Sequence, residues 1–154
     1  MKILMVCLGN ICRSPLADGL MRKKVQEHKL DVYVDSAGTA NYHVGGAPDE
    51  RMTQTARRKG VDISKLQARQ FVVSDFDAFD IIYVMDKSNY QNVIDLARNE
   101  NDIVKVKLIL DELGYAASIQ EVPDPYYGGQ AGFDSVFDLL NRATDVIIEK
   151  IQHE

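Results

Sequence analysis

The sequence predicts an α/β protein in which a single domain carries a doubly wound, four-stranded parallel sheet with helices on both faces. Three observations point there. Short apolar runs alternate along the chain with segments of helical periodicity, the order that sets strands side by side and joins them through right-handed helical crossovers. The 154 residues, 45% apolar and 27% charged, suffice for one ordinary core, and no linker or repeat interrupts them. The first apolar run, Lys2 to Val6, ends at Cys7 on a glycine-containing turn that leads into a helix. Open α/β sheets bind ligands beyond such carboxyl ends of strands, where strand order reverses.

The elements follow in order. Lys2 to Val6 has the unbroken apolar character of a strand buried on both faces. Ser14 is placed to cap the first helix, and Pro15 fits its first turn, where a missing N–H would have no partner anyway. Asp31 to Ser36 reads as a second strand, and Asp49 to Lys59 as a helix closed by Gly60. Ile81 to Met85 is another strand, followed by a helix capped by Ser88 that uses Val93, Ile94 and Ala97. Asp86, in the turn between them, suits either a cap or a brace across the crevice. Ile103 to Ile109 is the fourth strand candidate. Phe133, Val136, Phe137, Leu140, Ile147, Ile148 and Ile151 recur at steps of three and four, so the last helix turns one apolar face to the core.

Composition narrows the function. A net charge of −5 and a pI of about 5.2 argue against nucleic acid or an anionic membrane as partner. Two cysteines, no secretory signal and no apolar stretch of spanning length lead us to expect a cytoplasmic protein. His28, His43 and His153 have no metal-ligand spacing with one another or with the cysteines, so no metal or other cofactor is expected.

The chemistry concentrates in Cys7-Leu8-Gly9-Asn10-Ile11-Cys12-Arg13-Ser14-Pro15. A helix N-terminus preceded by a turn with inward-pointing N–H groups accepts a tetrahedral oxyanion. Gly9 permits close backbone approach, and Asn10 tolerates a left-handed conformation. A cysteine beside a cation and a helix N-terminus titrates at roughly 3.5 to 7.5, so Cys7 is expected to be a thiolate ready to attack phosphorus. Arg13, with its planar fork of donors, suits the equatorial oxygens of the phosphoryl group. The alternative, an inert buried cysteine at a strand end, leaves the glycine turn, Arg13 and the Ser-Pro helix start without a common reason.

An aryl phosphate also needs an acid for its leaving oxygen. Asp124 stands in Val122-Pro123-Asp124-Pro125-Tyr126-Tyr127-Gly128-Gly129, where prolines and glycines dictate a stiff surface loop. The loop could bring a carboxyl and two aromatic walls over the phosphate site. Taken alone, it reads rather as an ordinary turn with an aspartate beside proline, and both readings stay open.

Together these two motifs resemble the low-molecular-weight protein tyrosine phosphatase family. Asp35-Ser36-Ala37-Gly38-Thr39, Ala68-Arg69-Gln70 and Met85-Asp86-Lys87-Ser88-Asn89 extend the resemblance over nearly the whole chain. It implies a strand order of 2-1-3-4, Cys7 as nucleophile, Arg13 as phosphate clamp and Asp124 as general acid. Leu8, Gly9, Asn10, Ile11, Cys12 and Ser14 would form the phosphate loop, braced by Asn10, Ser14 and Ser36, with Ser14 also stabilising the thiolate and Asp86 in supporting contact. Leu8, Ile11, Tyr42, Tyr126 and Tyr127 would wall a pocket deep enough for a phenyl ring, and the implied partner is a tyrosine-phosphorylated protein. A relative of this fold that acts on phosphoarginine typically has threonine where this chain has Ile11. Many family members carry a histidine at the position of Leu66, so the network behind Asn10 is expected to be simpler here.

Other readings compete. Arsenate reductases of the fold need further cysteines, and none follows Cys12. A phosphocysteine carrier would be hindered by Arg13 and Asp124, which promote turnover. A non-catalytic phosphopeptide-binding module would not need the thiol. Cys12 itself is either an apolar filler or a partner that captures oxidised Cys7 as a disulfide. The sequence leaves oligomeric state and physiological substrate open.

Overall fold

Lys2–Cys7 (β1) is buried at five of its six positions, on both faces, and takes the interior place that its apolar run predicts. It pairs in parallel with Tyr33–Gly38 (β2) on one side and Ile81–Val84 (β3) on the other, and Val106–Leu108 (β4) extends the sheet beyond β3. The order is therefore β2-β1-β3-β4, as expected. This computed structural model describes residues 1–114, 120–125 and 129–154. Its helices are Arg13–Glu27 (α1), Glu50–Arg58 (α2), Asp75–Ala78 (α3), Lys87–Ile94 (α4), Glu100–Val104 (α5) and Gly129–Gln152 (α6), with a 3-10 turn at Ile109–Leu113.

Alternation along β1 divides the core in two. Ile3 and Met5 join Leu16 and Leu20 of α1 and Phe133 and Leu140 of α6, whereas Leu4 and Val6 join Phe71, Phe76 and Val93. The sheet is thus covered on both faces within one domain. Each large side chain removed from water in this way contributes roughly 1.5–3 kcal/mol. The face predicted for α6 is the buried one, with Ile151 half-buried at its end. No helix among the described residues is long and apolar enough to cross a membrane.

Several boundaries differ from expectation, each for a local reason. The second strand begins at Tyr33 and runs to Gly38, because Leu30 N–H still bonds Val25 O at the end of α1 and Gly38 pairs with Cys7. Asp86 caps α4 in place of Ser88, accepting from Asn89 N–H at 2.7 Å. The predicted strand from Ile103 to Ile109 is split. Asn99 caps a short helix through Asp102 N–H, leaving only Val106–Leu108 extended before the chain winds into the 3-10 turn. The short helix α3 carries no sequence periodicity that could announce it.

The chain leaves β1 toward β2 on one side and returns to β3 on the other. The carboxyl ends of β1 and β3 therefore flank the point where order reverses, and the turns after Cys7 and after Val84 face each other there.

Candidate active site

The turn from Leu8 to Cys12 is held from outside by its carbonyls. Thr39 N–H donates to Cys7 O and Ala40 N–H to Leu8 O, both at 2.9 Å; Asp49 N–H donates to Ile11 O at 2.6 Å and Leu16 N–H to Cys12 O at 3.2 Å. Among the described residues, the four N–H groups from Gly9 to Cys12 donate to no carbonyl or side chain. Carbonyls tied outward and amides left unpaired make a cup that suits an oxyanion. Asn10 sits at φ 56°, the left-handed conformation its side chain tolerates. Gly38 packs against the back of the turn, where a Cβ would lie 2.7 Å from Leu8 O and 3.0 Å from Asn10 N, so only glycine fits.

Behind the cup the hydrogen bonds have one consistent direction. Arg69 N–H donates to Asn10 Oδ1 at 3.0 Å, which turns Asn10 Nδ2 toward Ser14 Oγ at 2.8 Å. Ser14 Oγ lies 3.0 Å from Cys7 Sγ and a longer 3.4 Å from Ala37 O. A hydroxyl has one proton to give, and once Asn10 fills a lone pair, the short contact directs that proton to the sulfur. Ser14 is thus not the helix cap the sequence suggested. The helix starts at Arg13, Cys12 occupies the cap position with no side-chain cap bond, and the first amides stay unpaired.

Arg13 is buried to 4% side-chain exposure beneath the cup. Its Nη1 donates to Asp86 Oδ2 at 2.7 Å and to Val122 O at 3.0 Å, while Nη2 lies 4.0 Å from Asp124 Oδ2. Burial works against the guanidinium charge. Cys7, Asp86 and Asp124 outweigh it and hold the pKa above the ordinary arginine value. Asp86 serves in both of its suggested roles at once, one oxygen capping α4 and the other holding Arg13. Burial first, then the charges of Cys7 and Asp49, pushes the Cys12 thiol far above its usual range.

A cleft of about 340 Å³ opens over this floor, lined by Cys7, Leu8, Gly9, Ile11, Cys12, Arg13, Tyr42, His43 and Asp124. Asp124 is 49% exposed at its mouth. Tyr42 is among the lining residues, and the ring of His43 lies against Gly9. Tyr126 and Tyr127 lie outside the described residues. Among those described, no group of His, Cys, Asp or Glu is arranged to hold a metal ion.

A family model described as low molecular weight phosphotyrosine protein phosphatase matches residues 2–154. The chain belongs to that family. The human low molecular weight phosphotyrosine protein phosphatase is 38% identical over 153 residues, which span 97% of this chain and 94% of the human one. The crystal structure of a protein tyrosine phosphatase from Entamoeba histolytica superposes with a TM-score of 0.92 at 41% identity, covering 99% of this chain and 97% of its own. A structure titled as the Drosophila arginine phosphatase reaches a TM-score of 0.91 at 29% identity, over 99% of this chain and 98% of that one.

Within the family frame, two supporting positions depart from the resemblance. Ser36 is buried, and alternation along β2 turns it toward α1 beside Met5 of β1, where it offsets a small part of the burial of the Asp18 carboxylate. Leu66 packs half-buried against the core instead of bracing Asn10, and the backbone of Arg69 does that work. Arg69, Gly38 and Val122 were not singled out from the sequence. Gly38 and Arg69 lay in segments that carried the resemblance, but their contacts with the turn span tens of residues.

Proposed function

We propose that the protein hydrolyses phosphotyrosine in proteins, and small aryl phosphates, through a phosphocysteine intermediate on Cys7. The reading rests on one coincidence: the Cys7 sulfur, a run of unpaired amides, the Arg13 guanidinium and the Asp124 carboxyl all meet in a single cleft. In the first step the Cys7 thiolate attacks phosphorus in line with the phenolic oxygen. The amides and Arg13 hold the three equatorial oxygens, where donors fixed beforehand act most strongly on developing charge. Asp124 gives its proton to the departing tyrosine oxygen. In the second step Asp124, now a carboxylate, takes a proton from the water that attacks phosphocysteine, and the thiolate leaves onto the Ser14 hydroxyl.

Leu8, Ile11 and Tyr42 wall the approach, so a phenyl ring fills it and carries phosphorus down to the sulfur, whereas a phosphoserine side chain is too short. A phosphoarginyl substrate is the second reading, favoured by the likeness to the Drosophila arginine phosphatase and opposed by the apolar Ile11. We expect kcat/KM for a phosphotyrosyl peptide to exceed that for matched phosphoarginyl and phosphoseryl peptides by about 10² or more. A preference for phosphoarginine would reverse the assignment.

Cys12 has a part in the same reading. Peroxide oxidises the Cys7 thiolate to sulfenic acid with loss of hydroxide. Cys12 sulfur then attacks it, its proton leaving with the second hydroxide as water, and a disulfide forms. Because Cys12 is held as a buried thiol, capture is expected to be slow. Peptide mass spectrometry after mild peroxide should recover the Cys7–Cys12 disulfide, and sulfinic Cys7 beside reduced Cys12 would end this role. Both cysteines are free, which suits the reducing cytoplasm where we place the activity.

A further inference from the structure

Behind the cup runs a ladder of alternating charges that the hydrolytic steps do not use. Asp18 on α1 is fully buried and takes Arg22 Nε at 2.5 Å and Nη2 at 3.3 Å. Arg22 Nη2 lies 3.8 Å from Asp35 of β2, and the other oxygen of Asp35 accepts from Arg69 Nε at 3.1 Å. The two terminal nitrogens of Arg69 then bind the two oxygens of the buried Asp75, each at 3.1 Å. Asp75 is itself fixed by Val72 N–H at 2.9 Å.

Arg69 is where this ladder meets the loop. Its N–H holds Asn10 Oδ1, and its carbonyl accepts from Gly38 N–H at 2.9 Å, the glycine pressed against Leu8 to Asn10. A long side chain clamped on three carboxylate oxygens has lost its rotamer freedom, so the peptide group it carries presents its N–H at one place.

We propose that Arg69 is a positioning residue for the reaction: clamped between Asp35 and Asp75, it uses its own backbone to fix Asn10 in the left-handed conformation and to aim the Ser14 hydroxyl at Cys7. The inference rests on hydrolysis through Cys7 as proposed above. It assigns to an arginine outside the cleft a share in the rate that substrate contacts do not explain. Lysine would keep the charge and lose the fork that meets Asp75 and Asp35 together.

The test compares Arg69→Met and Arg69→Lys with Arg98→Met. Arg98 forms a comparably dense cluster with Asp77 and Asp102, remote from the cleft, and so reports the effect of losing such a cluster on stability alone. For Arg69→Met we expect kcat on an aryl phosphate to fall roughly 10- to 30-fold and orthovanadate inhibition to weaken by a similar factor, with KM within about 3-fold, the pattern of a contact that matters chiefly in the transition state. Alkylation of Cys7 by iodoacetate should slow in parallel. Arg69→Lys should recover part of each loss, and Arg98→Met should lower Tm while leaving all of them at the level of the parent protein. Where Arg69→Met does not fold, Asp75→Asn loosens the same clamp and should show the same split more weakly. Parent-level kcat and vanadate inhibition in the folded Arg69 or Asp75 variants, or losses matched by Arg98→Met, would overturn the assignment. If the parent protein turns over no aryl phosphate, the hydrolysis reading fails by itself, and the alkylation rates still decide the role of Arg69.

Discussion

Cys7→Ser is expected to lower turnover of para-nitrophenyl phosphate by on the order of 10⁴ or more, because a neutral hydroxyl replaces the attacking sulfur and, among the described residues, no base lies within hydrogen-bonding distance of it. Among the described residues its hydrogen-bond partner is Ser14 Oγ at 3.0 Å, which already accepts from Asn10 and offers a hydrogen. The cup is untouched by the change. Inorganic phosphate should therefore bind the variant within about tenfold of the parent, as titration calorimetry would measure, since amides and Arg13 supply the anion contacts. Residual turnover above about one part in a hundred would move the nucleophile elsewhere, because deletion of an attacking atom removes the covalent path altogether.

Asp124→Asn should separate substrates by their leaving groups. On phosphotyrosine we expect kcat/KM to fall by about 10² to 10³, within the range general acids contribute, and on an activated phenol by less than tenfold, because a good leaving group needs little protonation. The measurement has to be kcat/KM. That ratio reports the steps up to loss of the phenol, whereas kcat also contains hydrolysis of the phosphoenzyme, in which Asp124 acts as base for every substrate. Equal losses on both substrates would leave Asp124 as a binding group and require another acid.

Much of this site was legible in nine consecutive residues. A strand end, a glycine turn, an asparagine that tolerates positive φ and a helix start lie within hydrogen-bonding range of one another along the chain, so local rules reach them. The same rules misread Ser14, since a serine at a helix start caps when the amides need a partner, and here its hydroxyl turns to Cys7 and no side chain caps the helix. Asp86 could be read either way because a carboxylate has two oxygens, and the structure uses both. The Arg69 contact with Asn10 joins positions 59 residues apart, and the Val122 contact with Arg13 joins positions 109 apart. No local pattern carries such pairings. The interval from Ile103 to Ile109 failed for a different reason: its apolar residues fit a strand, and the decision lay with Asn99, whose capping bond starts a helix that takes in Ile103 and Val104.

The segment before the acid is moored to the body of the protein at Val122. Its N–H donates to Met85 O at 2.8 Å and its carbonyl receives Arg13, so both sides of one residue are anchored beside the phosphate site. Asp124 follows two positions later, a span that cannot exceed about 7 Å even fully stretched, and prolines stand on either side of it. The proposed proton donor is therefore on a short leash. In the proposed reaction it could pivot over a bound ring only within that span, and the guanidinium proposed to grip phosphate would also tether the arm that releases the phenol.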